Sequence, residues 1–266
     1  MAKKRNRQER RYIAMQRIIR KRNYGFSKAI NNYDKVILGT VFTKTMVERQ
    51  GREIYNSMKG NKTVGLDKVY NDLNKRFDKS NIKIKASLLL SLKQGGSKVF
   101  DNTGTTLKLK QPNYNNVLKR LTANNMKYVK DITEAQRKML VDQISKGIKE
   151  GKTYSQMSDS IVTNVEGMSK TRATRIARNE AHNAHSEAMS MTMQENGIKK
   201  YQWLSAGDNR VAPLDESLHR HIFKFGETGR MDWKGTDGKT YNIPKSPRPT
   251  RDTHINCRCV TIAVID

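Results

Sequence analysis

The sequence predicts an α+β protein: a mostly helical N-terminal two-thirds, then a small, loop-rich, β-containing C-terminal module packed on a long helix. Three observations carry this. Apolar residues recur at helical spacing in stretch after stretch up to Asn196. Beyond Gly197 the texture changes to short alternating or β-branched runs. Gly226, Gly229, Gly235 and Gly238 separate those runs, as do four of the five prolines, Pro213, Pro244, Pro247 and Pro249. The chain divides into a basic arm (1–28), a helical region (29–113) and a C-terminal domain (114–266). That domain comprises helices over 114–196 and the β-containing module over 198–266.

Taken in order, residues 2–28 hold eleven Lys and Arg against one acid, with Tyr12, Met15, Ile18 and Ile19 at helical spacing. Residues 33–58 read as one helix through Val36, Ile37, Val41, Val47 and Ile54, stopped by Gly60-Asn61. Residues 66–92 read as one or two helices, broken by Gly95-Gly96. Residues 95–113 read as a loop with a short hairpin, turning at Asn102-Thr103-Gly104. Residues 114–150 are helical again. Within them Thr133 and Gln136 form a capping-box pattern, and Gly151 supplies the stop. A short helix is expected over 155–162. The clearest helix is expected over 169–196, with Ser169 as N-cap and Gly197 as the residue after its end. Its face of Ala173, Ala177, Ala181, Ala184 and Ala188 is small enough for close approach. Arg178, His182 and His185 share a polar face, read as surface or as hydrogen-bonded groups. Strands are expected at 201–204, 222–225, 240–243 and 260–265.

Charge restricts the partners. The net charge is +27, and only 35% of residues are hydrophobic, with a mean hydropathy of -0.81. Residues 1–160 carry 36 Lys and Arg against 13 Asp and Glu, a net of +23; residues 161–266 carry 16 against 12, a net of +4. A polyanion, most simply double-stranded DNA bound without sequence preference, is expected on the first part. The residues chosen for that contact are Lys3, Lys4, Arg5, Arg7, Arg10, Arg11, Arg17, Arg20, Lys21 and Arg22. No apolar run approaches bilayer length, so no membrane partner is expected. The N-terminus lacks an apolar signal core. The two cysteines, Cys257 and Cys259, stand too close to bridge without strain, and suit a reducing cytoplasm.

Several motifs fall in a fixed order: Gly151–Tyr154, Ile-Ala-Arg-Asn-Glu (176–180), Trp203, Asp208-Asn209-Arg210, Leu218-His219, Phe223, and His254-Ile-Asn-Cys-Arg-Cys. This set resembles the C-terminal domain of tailed-bacteriophage minor head proteins, the phage Mu F-like head morphogenesis family, over about residues 120–266. The resemblance implies a minor capsid component that acts in head assembly and in DNA packaging or ejection. It implies a place inside the virion head near the portal, with the host cytoplasm as the site of assembly. The portal protein and major capsid or scaffolding proteins would be its partners, and no catalytic activity comes with it. Arg178, Glu180, Trp203, Asp208, Arg210 and Arg258 are the residues of the shared motifs. Two departures stand out: Asn179 where many members have Thr, and Ala212 and Asp215 where many have Cys or His.

Two polar knots, Asp208–Arg210 and Asp252–Cys259, then admit two readings. In one, Asp215 or His219 joins His254, Cys257 and Cys259 around zinc. In the other no cofactor is needed: the cysteines are buried small side chains, and Arg258 pairs with an acid such as Asp208 or Glu180. Because Ala212 cannot ligate, ligand count favours the second, and no required cofactor is expected. The knots then fasten the chain's end to its Trp203–Asp208 stretch. A metal-dependent DNA-processing enzyme, a zinc-stabilised DNA-binding protein and a portal-docking scaffold without DNA contact are the alternatives. No nucleophile elbow, P-loop or His-Glu-x-x-His supports an enzyme, and none is expected.

Overall fold

A computed structural model describes residue 18 and residues 33–39, 42–60, 81–97, 99–101, 103–250, 253 and 257–265. Among these, helices α1 (33–39), α2 (Lys44–Lys59), α3 (81–96), α4 (Asn115–Lys149), α5 (Tyr154–Glu195) and α6 (Pro213–Ser217) alternate late in the chain with five strands. The strands are β1 (Lys200–Leu204), β2 (Ile222–Lys224), β3 (Arg230–Lys234), β4 (Thr240–Pro244) and β5 (Val260–Val264). The α+β class stands, with the strands confined to the C-terminal part. The expected helices over 66–80 lie outside the described residues.

The chain forms two compact units, each assembled from separated segments. One comprises residues 30–87 and 119–177. Its core joins Met46, Val47 and Ile54 of α2 to Leu140 and Ile144 of α4 and to Met157, Ile161 and Val165 of α5. Two glycines permit this packing. A Cβ on Gly51 would stand 2.5 Å from the Tyr154 hydroxyl, and one on Gly147 would stand 1.7 Å from Met157 Sδ. The expected helix over 33–58 is interrupted before Thr43, whose Oγ1 accepts from the Met46 amide at 3.2 Å and caps α2.

Two expected helix starts in this unit are not starts. Thr133 Oγ1 donates to the Val129 carbonyl at 2.7 Å inside the unbroken α4. Ser169, expected as an N-cap, lies buried within α5; its Oγ donates to the Val165 carbonyl and accepts from Gln136 Nε2, both at 2.6 Å. The helices expected at 155–162 and 169–196 are therefore one. Its entry is held by Gln156, whose Oε1 accepts from the Thr153 amide at 2.8 Å and the Thr153 hydroxyl at 3.1 Å. Both long helices stop as expected. After α4, Gly151 has φ 74°, Gly151 N–H bonds the Ile148 carbonyl and Lys152 N–H the Gly147 carbonyl. After α5, Gly197 has φ 78° and the same two bonds recur to Gln194 and Met193.

The other unit comprises residues 1–29, 88–118 and 178–266. Its three-stranded sheet has the order β2-β1-β5, antiparallel throughout, with Tyr201 opposite Phe223 on one side and Ala263 on the other. β3 and β4 make a separate hairpin in which Trp233 faces Tyr241. β3 is an element that the sequence reading omits, although Met231 and Trp233 alternate with charged residues. The expected hairpin near residue 103 is present. Phe100 pairs with Thr106, and Asp101 Oδ1 accepts from the Thr103 and Thr105 amides at 2.9 Å. It lies along β5, since the Ala263 amide donates to the Phe100 carbonyl at 2.7 Å.

α3 ends at Gly95-Gly96, as expected: Gly96 is its last residue and Ser97 is already a turn. A Cβ on Gly95 would stand 2.8 Å from the His185 backbone, and one on Gly96 1.8 Å from the Tyr114 hydroxyl. These glycines serve close packing against α5. The core of this unit gathers Met189 and Met193 of α5, Tyr201 and Trp203 of β1, Leu214, Leu218, Phe223, Cys257 and Cys259.

Candidate functional site

The two polar knots meet. Arg258 donates through both terminal nitrogens to both Asp208 oxygens, a paired contact across fifty residues of chain. Arg210 adds its amide to Asp208 Oδ1 at 3.1 Å and its guanidinium to Oδ2 at 3.4 Å. The hydrogen bonds from Arg258 foremost hold the Asp208 carboxyl below the usual carboxylate range; burial opposes them, and the Arg210 amide and the two guanidinium charges add to the lowering. Of the two acids expected as partners of Arg258, Asp208 is the one used. Glu180 instead lies buried on α5, where its Oε1 accepts from Asn183 Nδ2 at 3.0 Å. Arg178, from the same motif, is exposed.

The neighbours of Arg258 point the other way. In an extended run, successive side chains leave on opposite faces. Arg258 goes outward to Asp208, while Cys257 and Cys259 turn into the core, 3% and 1% exposed. Both sulfurs reach the same atom, Asp215 Oδ2, at 3.3 and 3.2 Å. The Cys259 amide also donates to Cys257 Sγ at 3.4 Å. The hydrogen bond with Cys257, together with burial, pushes the Cys259 thiol well up from its ordinary value. Asp215 sits in α6, 1% exposed, and Leu214 beside it anchors α6 in the core. Pro213 starts α6, where its missing N–H costs nothing.

Of the five candidate metal ligands, Asp215, Cys257 and Cys259 thus come together; each offers a ligand atom within 4.8 Å of the others. His219 is not in that group. Its Nδ1 accepts from the Ser205 amide at 3.1 Å, and burial, then Arg220, lower its proton affinity. A neutral ring used as an acceptor fits both facts. His254 lies outside the described residues, as do all ten arm residues chosen for DNA contact. Trp203 is fully buried in β1.

A further set of tethers escapes sequence reasoning. His182 and His185 are buried, and of the two readings, surface or hydrogen-bonded, His182 takes the second. His182 Nε2 and Ser186 Oγ both bond the Pro249 carbonyl, the latter at 3.1 Å. Tyr201 donates to the Pro247 carbonyl at 2.6 Å. The proline-rich run after β4 is therefore held by side chains of α5 and β1 on its way to the second knot. Spacing along α5 places His182 and Ser186 on one face, but nothing local says that a distant carbonyl covers them.

Residues 138–262 match the family described as Phage Mu protein F like protein. This part of the chain is similar to that family. The Mu F-like region contains every described residue of both knots, together with Ile176–Glu180 and Trp203. A relative in Haemophilus influenzae (strain Rd), an uncharacterized protein, is 26% identical over 159 residues. That match spans 58% of this chain and 31% of the relative's length. No solved structure matches. Among the described residues, no helix is long and apolar enough to cross a membrane.

Proposed function

We propose that this chain is a minor head protein of a tailed bacteriophage, carried inside the head near the portal and acting in head assembly and in DNA packaging or ejection. The observation that carries the reading is the Phage Mu F-like match over residues 138–262. In this reading the Mu F-like region is the docking body for portal, capsid or scaffolding proteins. Its C-terminal run is a fastener, since Arg258 and the two cysteines tie the last strand to Asp208 and Asp215.

Charge supports the second half of the proposal. The net of +23 on residues 1–160 suits a chain that neutralises phosphates in a DNA-filled shell. Such contact is independent of sequence and steeply salt-dependent. The role is structural, and the protein meets DNA as a polyanion and not as a substrate. Locating the chain in purified phage particles tests the proposal.

A further inference from the structure

We propose that Asp215, Cys257 and Cys259 form a structural zinc site that clips the end of the chain to α6. The proposal is independent of the head-assembly reading and stands on local geometry alone.

Zinc takes thiolate sulfur at about 2.3 Å and carboxylate oxygen at about 2.0–2.2 Å in a tetrahedral arrangement. Those lengths require sulfur and oxygen ligands to stand about 3.5 Å apart. The observed separations from Asp215 Oδ2 are 3.3 Å to Cys257 Sγ and 3.2 Å to Cys259 Sγ, within a few tenths of an ångström of that value. All three ligand atoms lie within 4.8 Å of one another, so adjustment of the side chains lets one cation touch them all. Two thiolates and one carboxylate are a soft, compact set that suits zinc and disfavours calcium or magnesium, which take oxygen ligands.

The surroundings fit a closed site. All three side chains are at most 3% exposed, as structural zinc ligands are and as an open catalytic position is not. The Cys259 amide donates to Cys257 Sγ at 3.4 Å, a backbone contact that holds this sulfur in place beside Asp215. Without a metal, two thiols would donate to a single carboxylate oxygen, and a thiol is a weak donor. Arg258 steadies the run from its other face through Asp208. Binding would displace the protons of both thiols as the two S–Zn bonds form. The described residues supply three ligands; one further protein donor completes the four.

The test uses the full chain, purified from zinc-supplemented cells, with metal content measured by elemental analysis. Stoichiometric zinc is expected, lost on treatment with a strong chelator together with a drop in thermal midpoint, and regained when zinc alone is added back. Cobalt titrated into the metal-free chain should give a sulfur-to-cobalt charge-transfer band. Cys257→Ser with Cys259→Ser should abolish both signals. Should that variant not fold, Asp215→Cys replaces it, with the expectation of tighter zinc and a stronger cobalt band. Trace zinc in the wild-type chain, with no midpoint shift and no cobalt band on titration, would overturn the proposal. So would undiminished zinc in a folded double-serine variant.

Discussion

The Arg258–Asp208 pair makes the fastening role measurable. Its side chains are 26% and 36% exposed, so the pair is neither a buried ion pair nor a free surface one. Freely exposed pairs contribute about 0.2–1 kcal/mol, while buried hydrogen bonds to charged groups contribute about 1.5–3 kcal/mol. A two-pronged contact at this exposure should couple by about 1–1.5 kcal/mol once solvent screening is allowed for. The cycle compares wild type, Arg258→Ala, Asp208→Asn and the double variant. For a unit of this size the coupling corresponds to about 2–6 °C in midpoint. Urea unfolding followed by tryptophan fluorescence is the assay. Both tryptophans, Trp203 and Trp233, belong to the unit that holds the pair. Because the Asp208 carboxyl is held below its ordinary value of about 3.9, the stabilisation is complete above that pH. It is lost as pH falls through the lower, folded value. Wild type and Arg258→Ala should therefore differ by a constant amount from pH 7 down to about 5, and converge in stronger acid. Zero coupling, or a gap that persists unchanged in strong acid, would refute the reasoning and leave only packing of the Arg258 stem.

Two further expectations follow from packing and charge. Gly147→Ala should destabilise by about 1 kcal/mol, because crowding of Met157 outweighs the gain in helix propensity, whereas Gly167→Ala, with nothing within 4 Å of its new Cβ, should stabilise by about 0.5–1 kcal/mol; urea midpoints of the two variants, moving in opposite directions, check both. Removing residues 1–28, with their eleven basic side chains, should weaken binding to duplex DNA and flatten the slope of log affinity against log salt, and an unchanged slope would move the contact elsewhere.

What was legible in the sequence is what local chemistry decides. Gly151 and Gly197 end α4 and α5 because a left-handed residue there serves two bonds within the same turn. The alternation in Cys257-Arg258-Cys259 likewise follows from extended backbone alone. Long-range packing overrode other signals equally good on paper. Thr133 and Gln136 match a capping box, yet Gln136 reaches Ser169 thirty-three residues away and α4 continues. Gly95-Gly96 marks the end of α3 as read, but the sequence does not say that its lack of side chains also lets the helix lie against His185 and Tyr114. For His182 the sequence leaves surface and hydrogen-bonded readings open, and the distant Pro249 carbonyl decides for the second.

The candidate site followed the same division. Residue type and spacing single out Cys257, Cys259 and Asp215, with His219 and His254, as candidate ligands. That both sulfurs reach one oxygen, and that His219 is engaged by Ser205 instead, depends on how β1, α6 and β5 pack. Counting ligands along the sequence favoured a chain without metal; the distances in space reopen that question.

The proposed role is tested most directly by locating this chain in intact phage particles, by mass spectrometry of purified heads and tails and by labelling of the assembled virion. The expected result is a few copies per particle, in the head fraction and at the portal vertex. Absence from the particle, or recovery only with tails, would contradict it.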